Sequence, residues 1–126
     1  MKKLKIDYLF IPSVREIYKD KNINIKLYKK DKILCAKHRK GHFEGVLNVM
    51  NRLLNIIRAK KIFMGEKDYQ QLFLIKKYLS KKHKIKIIGC PTVRDKNNIA
   101  LSTRNKLLYK KNYIKVSLIA NFLLKL

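Results

Sequence analysis

Acidic residues are scarce in this sequence: 8 Asp and Glu stand against 32 Lys and Arg, a formal net charge of +24 over 126 residues. Long apolar stretches are missing too. No run approaches the roughly 18 to 20 residues that a membrane-spanning helix needs. The basic start Met1-Lys2-Lys3-Leu4-Lys5-Ile6 is interrupted by Asp7, and no apolar stretch with a small-residue cleavage site follows it, so no export signal is visible. There are two cysteines, Cys35 and Cys90, far apart and at neither CxxC nor metal spacing. That excludes a disulfide framework and fits two free thiols in a reducing compartment. With no repeat and no Ser/Gly-rich linker, the chain reads as one domain or part of one, soluble and cytoplasmic.

What is present is lysine. A pI near 10.2 raises nucleic-acid binding as a function, because Lys and Arg that neutralise phosphates supply most non-specific affinity. The distribution argues otherwise. Few of the basic residues are Arg, and the lysines are spread in pairs along the whole chain instead of forming a stripe interleaved with aromatics. Lys, Ile, Asn and Tyr, all with A/T-rich codons, make up nearly half of the sequence, which points to compositional bias. A non-enzymatic basic module that binds RNA or another polyanion, with Lys76, Lys77, Lys81 and Lys82 as its test residues, stands as the alternative reading.

Short apolar runs alternate with longer amphipathic ones, the pattern of an α/β domain with a parallel sheet. Asp7 to Ile11 reads as a buried strand ended by Pro12, with Ser13 capping a short helix through Tyr18. Asn24 to Tyr28 alternates weakly, and Ile33 to Ala36 fits another short strand. Phe43, Val46, Leu47, Met50, Leu53, Leu54 and Ile57 fall at helical spacing. Strands are expected at Lys61 to Met64 and Ile85 to Ile88, with a helix from Asp68 or Tyr69 to Ser80 between them. Gly89 and Pro91 close the later strand, and Thr92 to Leu101 is a charged loop. Val116, Ile119, Ala120, Leu123 and Leu124 mark a last helix, and its uncapped end is read as a sign that the natural sequence continued.

Three segments could carry chemistry. In Gly65-Glu66-Lys67-Asp68-Tyr69-Gln70-Gln71 a strand, a glycine turn and a helix start meet, where unpaired N–H groups and the helix dipole favour an anion. Lys67 can neutralise phosphate, Asp68 can cap the helix or hold a ribose hydroxyl or a metal, and the two glutamines offer amides. An ordinary βα turn capped by Asp68 fits the same spacing; the segment is neither a Walker loop nor GxGxxG. In Leu101-Ser102-Thr103-Arg104-Asn105, two hydroxyls and a guanidinium in a row suit a polyphosphate, while a Ser102 cap with an exposed Arg104 is the plainer reading. His38-Arg39-Lys40-Gly41-His42-Phe43 has no ligand set for a metal, although Gly41 and His42 at a helix entry could meet an anion or a neighbouring loop. His83, in a Lys-rich turn, is expected to face solvent.

Taken together, these segments resemble the pantothenate synthetase (pantoate-beta-alanine ligase) family. The resemblance is carried by Asp7-Tyr8-Leu9-Phe10-Ile11-Pro12-Ser13-Val14-Arg15-Glu16-Ile17-Tyr18, by Lys40-Gly41-His42-Phe43-Glu44-Gly45-Val46 and by Phe63-Met64-Gly65-Glu66-Lys67-Asp68-Tyr69-Gln70-Gln71-Leu72. Gly89-Cys90-Pro91-Thr92-Val93-Arg94-Asp95 and Ala100-Leu101-Ser102-Thr103-Arg104-Asn105 complete it. It implies an α/β fold, an incomplete Rossmann-like nucleotidyltransferase domain with a parallel sheet. The activity implied is ATP-dependent condensation of pantoate with beta-alanine through a pantoyl adenylate, giving pantothenate, AMP and pyrophosphate.

By the same resemblance Gly65, Glu66, Lys67, Asp68, Val93, Leu101, Ser102, Thr103 and Arg104 are the ATP-binding residues and Gln71 binds pantoate. Val93 would meet the adenine through its backbone. Thr103 stands where the family usually has Ser, keeping the hydroxyl on a stiffer side chain. ATP is implied as substrate with Mg2+ accompanying it, pantoate and beta-alanine as the other small molecules, and a homodimer as the assembly; neither nucleic acid nor membrane is an expected partner. The family's HxGH motif belongs N-terminal to the matching region and is not in this sequence, so no catalytic residue is assigned. His38 to His42 has one residue too many for that motif and aligns with the family's Arg-Pro-Gly-His-Phe, with Lys40 at the proline. Residues 1–126 therefore read as the C-terminal part of the nucleotide-binding domain, without the HxGH-bearing part or the C-terminal domain. The expected chain is truncated and not expected to complete catalysis alone. A domain stable only as a dimer is a further reading, because removing the first strands of a parallel sheet exposes edges and apolar helix faces.

Overall fold

The computed structural model describes residues 5–19 and 24–126. In chain order its elements are α1 (Val14–Ile17), α2 (Cys35–His38), α3 (His42–Ile57), β1 (Lys61–Gly65), α4 (Tyr69–His83), β2 (Lys86–Cys90) and α5 (Lys110–Leu123). Single 3-10 turns lie at Lys29–Asp31, Glu66–Asp68 and Thr103–Leu107. The arrangement is a mixed α/β one with a parallel sheet, as the alternating pattern predicts. Among the described residues that sheet has two strands, β1 beside β2.

The two long helices form because their apolar residues recur at helical spacing and share one core. Phe43, Leu47 and Leu54 of α3 are buried against Leu72, Leu74, Ile75 and Leu79 of α4. β1 and β2 pair in parallel with Ile62 opposite Ile87 and Met64 opposite Gly89. Side chains alternate along a strand, so Ile62, Met64 and Ile87 reach the helical layer while Phe63 points away and stays 67% exposed. The register brings Gly65 opposite Cys90. Both strands thus release their next residues from the same carboxyl edge.

Three local readings are corrected. Asp7 to Ile11 is extended but is not a strand, and Leu9, Phe10 and Ile11 are exposed. Apolar alternation makes a strand only where a neighbouring backbone accepts the ladder, and none lies beside this segment among the described residues. The expected strand at Ile33 to Ala36 is broken by Leu34, whose φ of 50° turns the chain into α2. Gln70 occupies the backbone groups that a ladder would use: its Oε1 accepts from the Cys35 N–H at 3.1 Å and its Nε2 donates to the Ile33 carbonyl at 2.8 Å. Asn24 to Tyr28 is treated alike, with the Ile25 N–H donating to Asn48 Oδ1 at 2.9 Å and the Tyr28 N–H to the Tyr78 hydroxyl at 2.8 Å.

The Ser13 cap is present as a full capping box with Glu16, whose carboxylate accepts from the Ser13 N–H at 2.7 Å. That bond is the main reason the Glu16 carboxyl is held below its ordinary range. The last helix differs from expectation in its face. Of the expected face Ile119, Leu123 and Leu124 are exposed and Val116 and Ala120 half-buried, while the hydrogen bonds that tie α5 to the molecule come from polar side chains. No helix among the described residues is long and apolar enough to cross a membrane.

Candidate functional site

The carboxyl edge of a parallel sheet is where unpaired helix N–H groups gather, and here it holds the turn after β1. Gly65 ends the strand, Glu66–Asp68 makes one tight turn, and α4 starts at Tyr69. Asp68 occupies the cap position of α4 without a capping hydrogen bond. Its carboxylate instead accepts from Lys67 Nζ at 2.9 and 3.0 Å. The plain capping role expected for Asp68 is therefore not the one observed.

Lys67, Asp68, Tyr69, Gln70 and Gln71 line one side of a cavity of about 170 Å³, and Cys35, Arg39, His42 and Phe43 line the other. Two helix N-termini, those of α3 and α4, open onto it together with Arg39 and Lys67. Asp68 offsets the charge of Lys67, which leaves Arg39 and the partial positive charge of both helix starts, so the cavity suits an anion or a carboxylate. Gly41 makes the approach of α3 possible with a φ of +76°, a backbone conformation that side chains disfavour. The anticipated meeting of Gly41 and His42 with a neighbouring loop is thus seen at His42, which shares this cavity with Lys67. The amides are also sorted. Gln70 is committed to the Ile33–Cys35 backbone, which leaves Gln71 as the glutamine available to a ligand.

Glu66 leans over the other strand. A Cβ placed on Gly89 would lie 2.7 Å from Glu66 Oε1 and 3.1 Å from Leu72 Cδ2, so a glycine is required there for this carboxylate to sit as it does. In the sequence Gly89 reads as a strand terminator, and its role beside Glu66 depends on the strand register. Arg39 lies in the His38–Phe43 segment that the sequence marks out, but nothing in sequence spacing links it to a turn after a strand further along the chain.

The second group lies beyond β2. Val93 and Leu101 are brought side by side by the Leu101 N–H donating to the Val93 carbonyl at 2.9 Å, with Arg94 and Ala100 bridged in antiparallel fashion. The loop between them is packed as well as charged: Ile99 is buried, and Asp95 Oδ1 accepts from the N–H groups of Asn97 and Ile99 at 2.8 and 3.0 Å. The carboxyl of Asp95 is held below its ordinary range chiefly by the Tyr113 hydroxyl. Ser102 caps the Thr103–Leu107 turn, accepting from the Arg104 N–H at 3.2 Å, and Arg104 is exposed. No hydrogen bond among the described residues joins the Gly65–Gln71 group to the Val93–Arg104 group.

Two further expectations change. His83 does not face solvent: it is half-buried, with Nε2 2.9 Å from Asn51 Oδ1, and burial first and Lys82 second push its pKa down. Of the four lysines that would test the basic alternative, Lys77 is already taken by the buried carboxylate of Asp31, while Lys76, Lys81 and Lys82 are exposed. No three His, Cys, Asp or Glu side chains among the described residues gather as a metal site.

A β-α-β unit whose carboxyl edge carries a Lys- and amide-bearing turn, followed by a hydroxyl- and Arg-bearing turn, has the layout of a nucleotide-binding α/β domain of the nucleotidyltransferase type. The particular family is established by sequence. The chain belongs to the pantoate-beta-alanine ligase family, whose sequence model matches residues 1–126. It is 45% identical over 120 residues to the bifunctional pantoate ligase/cytidylate kinase of Prochlorococcus marinus subsp. pastoris, covering 91% of this chain and 24% of that protein. It is 43% identical over 112 residues to the pantothenate synthetase of Buchnera aphidicola subsp. Acyrthosiphon pisum, covering 86% and 39%. The pantoate-beta-alanine ligase of Francisella tularensis, solved in complex with beta-gamma ATP and beta-alanine, superposes with a TM-score of 0.82 at 40% identity, over 95% of this chain and 47% of that one. That of Thermus thermophilus superposes with a TM-score of 0.87 at 30% identity, over 98% and 46%. The chain thus spans between 24% and 39% of these curated relatives and just under half of the solved chains.

Proposed function

We propose that these residues form one wall of an ATP and pantoate site and take part in the condensation of pantoate with beta-alanine through a pantoyl adenylate, with AMP and pyrophosphate as by-products. The observation that carries this reading is the cavity that Lys67 and Gln71 share with Arg39 and two helix N-termini. In this reading Gly65, Glu66, Lys67 and Asp68 meet ATP at the turn, with Lys67 on phosphate, and Gln71 binds pantoate through its free amide. Val93 meets the adenine through its backbone, and Leu101, Ser102, Thr103 and Arg104 close on the phosphates. Adenylate formation needs carboxylate and phosphate held in line and the growing phosphate charge stabilised. Residues 1–126 are read as the C-terminal part of the nucleotide-binding domain, and the HxGH histidine would come from polypeptide outside them.

Mg2+ would arrive on the nucleotide. Both oxygens of Asp68 are engaged by Lys67 and no carboxylate cage forms among the described residues, so phosphate oxygens and water would hold the ion. The setting is the cytoplasm, and the assembly a homodimer. The test is calorimetric titration of the 126-residue protein with ATP and with pantoate, beside a coupled assay for AMP. Lys67→Ala should weaken ATP binding at least about tenfold, or about 1.4 kcal/mol, and Gln71→Ala should weaken pantoate binding while sparing ATP. Turnover at the rate of a full-length relative would overturn the one-wall reading. ATP affinity indifferent to Lys67 would overturn the site.

A further inference from the structure

We infer that α5 is a positioning strap: its polar face fixes where the Leu101–Arg104 segment stands relative to Val93. Tyr113, Ser117 and Asn121 recur every fourth residue and so share one face of the helix. All three are hydrogen-bonded, and each bond leads to the Arg94–Ala100 loop or to the next rung. The Tyr113 hydroxyl donates to Asp95 Oδ2. Ser117 Oγ donates to the Asn97 carbonyl at 3.0 Å, and Asn98 Nδ2 donates to Asn121 Oδ1 at 2.6 Å. Asn121 in turn donates Nδ2 to the Ser117 carbonyl at 2.8 Å, which orients its amide for Asn98.

The apolar residues of α5 do not by themselves explain its placement: Ile114, Leu118, Ile119 and Phe122 are exposed, and Val116 and Ala120, beside the polar rungs, are only half-buried. Asp95 relays the anchor. With Oδ2 held by Tyr113, its Oδ1 gathers the N–H groups of Asn97 and Ile99, and its own N–H donates to the Ile99 carbonyl at 2.9 Å. The chain then has one course, through Asn98 at a φ of 63°, back to the bond between Leu101 N–H and the Val93 carbonyl. Among the described residues, the side chains of Tyr113, Ser117, Asn121 and Asp95 make no hydrogen bond to the residues assigned to ligands and reach them through this backbone. They are positioning residues, and their bearing on nucleotide binding rests on the proposed function.

The experiment compares wild type with Tyr113→Phe and Asn121→Ala. Amide hydrogen exchange is read at Ile99 to Asn105 and at β1 and α4, together with affinities for ATP and for adenosine. A strap predicts exchange at Leu101 at least about tenfold faster in Tyr113→Phe, with β1 and α4 unchanged, since lost anchorage opens the loop locally. It also predicts that ATP affinity falls several-fold more than adenosine affinity, because the phosphate segment moves while Val93 stays just beyond the end of β2. A general loss of stability would move exchange everywhere and both ligands alike, which would overturn the inference, as would unchanged exchange at Leu101. If the wild type binds no ATP, the nucleotide reading fails while the exchange pattern still decides the strap.

Discussion

Individual side chains in this molecule take over tasks that secondary structure would otherwise perform. Asp31 is the clearest case: it is buried, pairs with Lys77, and accepts from the Tyr78 hydroxyl at 2.6 Å. The Lys77 bond, then that of Tyr78, holds the Asp31 carboxyl below its usual range. Burial first and Asp31 second push the Tyr78 phenol up from 10.0 to about 12. A depressed carboxyl pKa stabilises the fold above its ordinary value of 3.8, and this is lost as pH falls through the folded value. The raised phenol acts oppositely, stabilising below 10 and failing as pH climbs through about 12. Asp31→Ala should cost about 1–3 kcal/mol at neutral pH, measured by urea unfolding, because two donors lose their acceptor. The same variant should flatten the acid limb of a stability profile. At Leu34, φ of 50° and ψ of −129° strain a residue that is 70% exposed. Leu34→Gly should therefore raise stability by about 1 kcal/mol; a loss instead would mean that the side chain is needed where it lies.

At the scale of elements, α3 and α5 show how far an apolar pattern can be trusted. Both carry apolar residues at helical spacing, yet α3 buries Phe43, Leu47 and Leu54 while α5 leaves Ile119 and Leu123 exposed and Val116 and Ala120 only half-buried. Leu47→Ala should destabilise by about 2–5 kcal/mol, since it empties a site with no solvent contact, while Leu118→Ala should stay within about 0.5 kcal/mol. Equal effects would place α5 in a core. The same contrast explains what could be read beforehand. The α3, β1, α4 and β2 elements were legible because periodicity and burial agree in each. The expected strands at Asp7 to Ile11 and Ile33 to Ala36 were not, since a strand exists only with a partner. His83 illustrates the limit for a lone residue: its neighbours in sequence are lysines, but α3 supplies Asn51 against its ring. Because its pKa is depressed, stability should fall as pH drops below 6.5 through the folded value. His83→Gln, which keeps a donor for Asn51, should lose part of that fall in a pH series of thermal midpoints.

For the whole molecule, charge and uncovered apolar surface are the two dominant facts. At +24 the chain repels itself, and only three ion pairs, Lys32 with Glu44, Lys67 with Asp68 and Lys77 with Asp31, are found among the described residues. Screening should therefore stabilise it: raising monovalent salt from about 0.1 to about 1 M shortens the Debye length from about 10 to about 3 Å. The thermal midpoint should rise over that range, and a fall would show that the pairs outweigh the repulsion. Leu9, Phe10, Ile11 and Phe63 each expose apolar area, and apolar area left to solvent is of the sort that partners cover. Sedimentation velocity on the 126-residue protein should show concentration-dependent association, reduced by Phe63→Lys.

Sequence alone determined the α/β class, the two long helices, the parallel strand pair and the family, because those follow from periodicity and from ordered blocks of residue types. It also singled out the Gly65–Gln71 turn as a place for an anion. Tertiary structure decided what stands opposite that turn: Arg39, His42 and a second helix start. It decided that Gln70 braces a backbone while Gln71 faces the cavity, and that Gly89 makes room for Glu66. Those outcomes depend on distances between segments far apart in the chain, and they are set by packing and strand register, which no local pattern encodes.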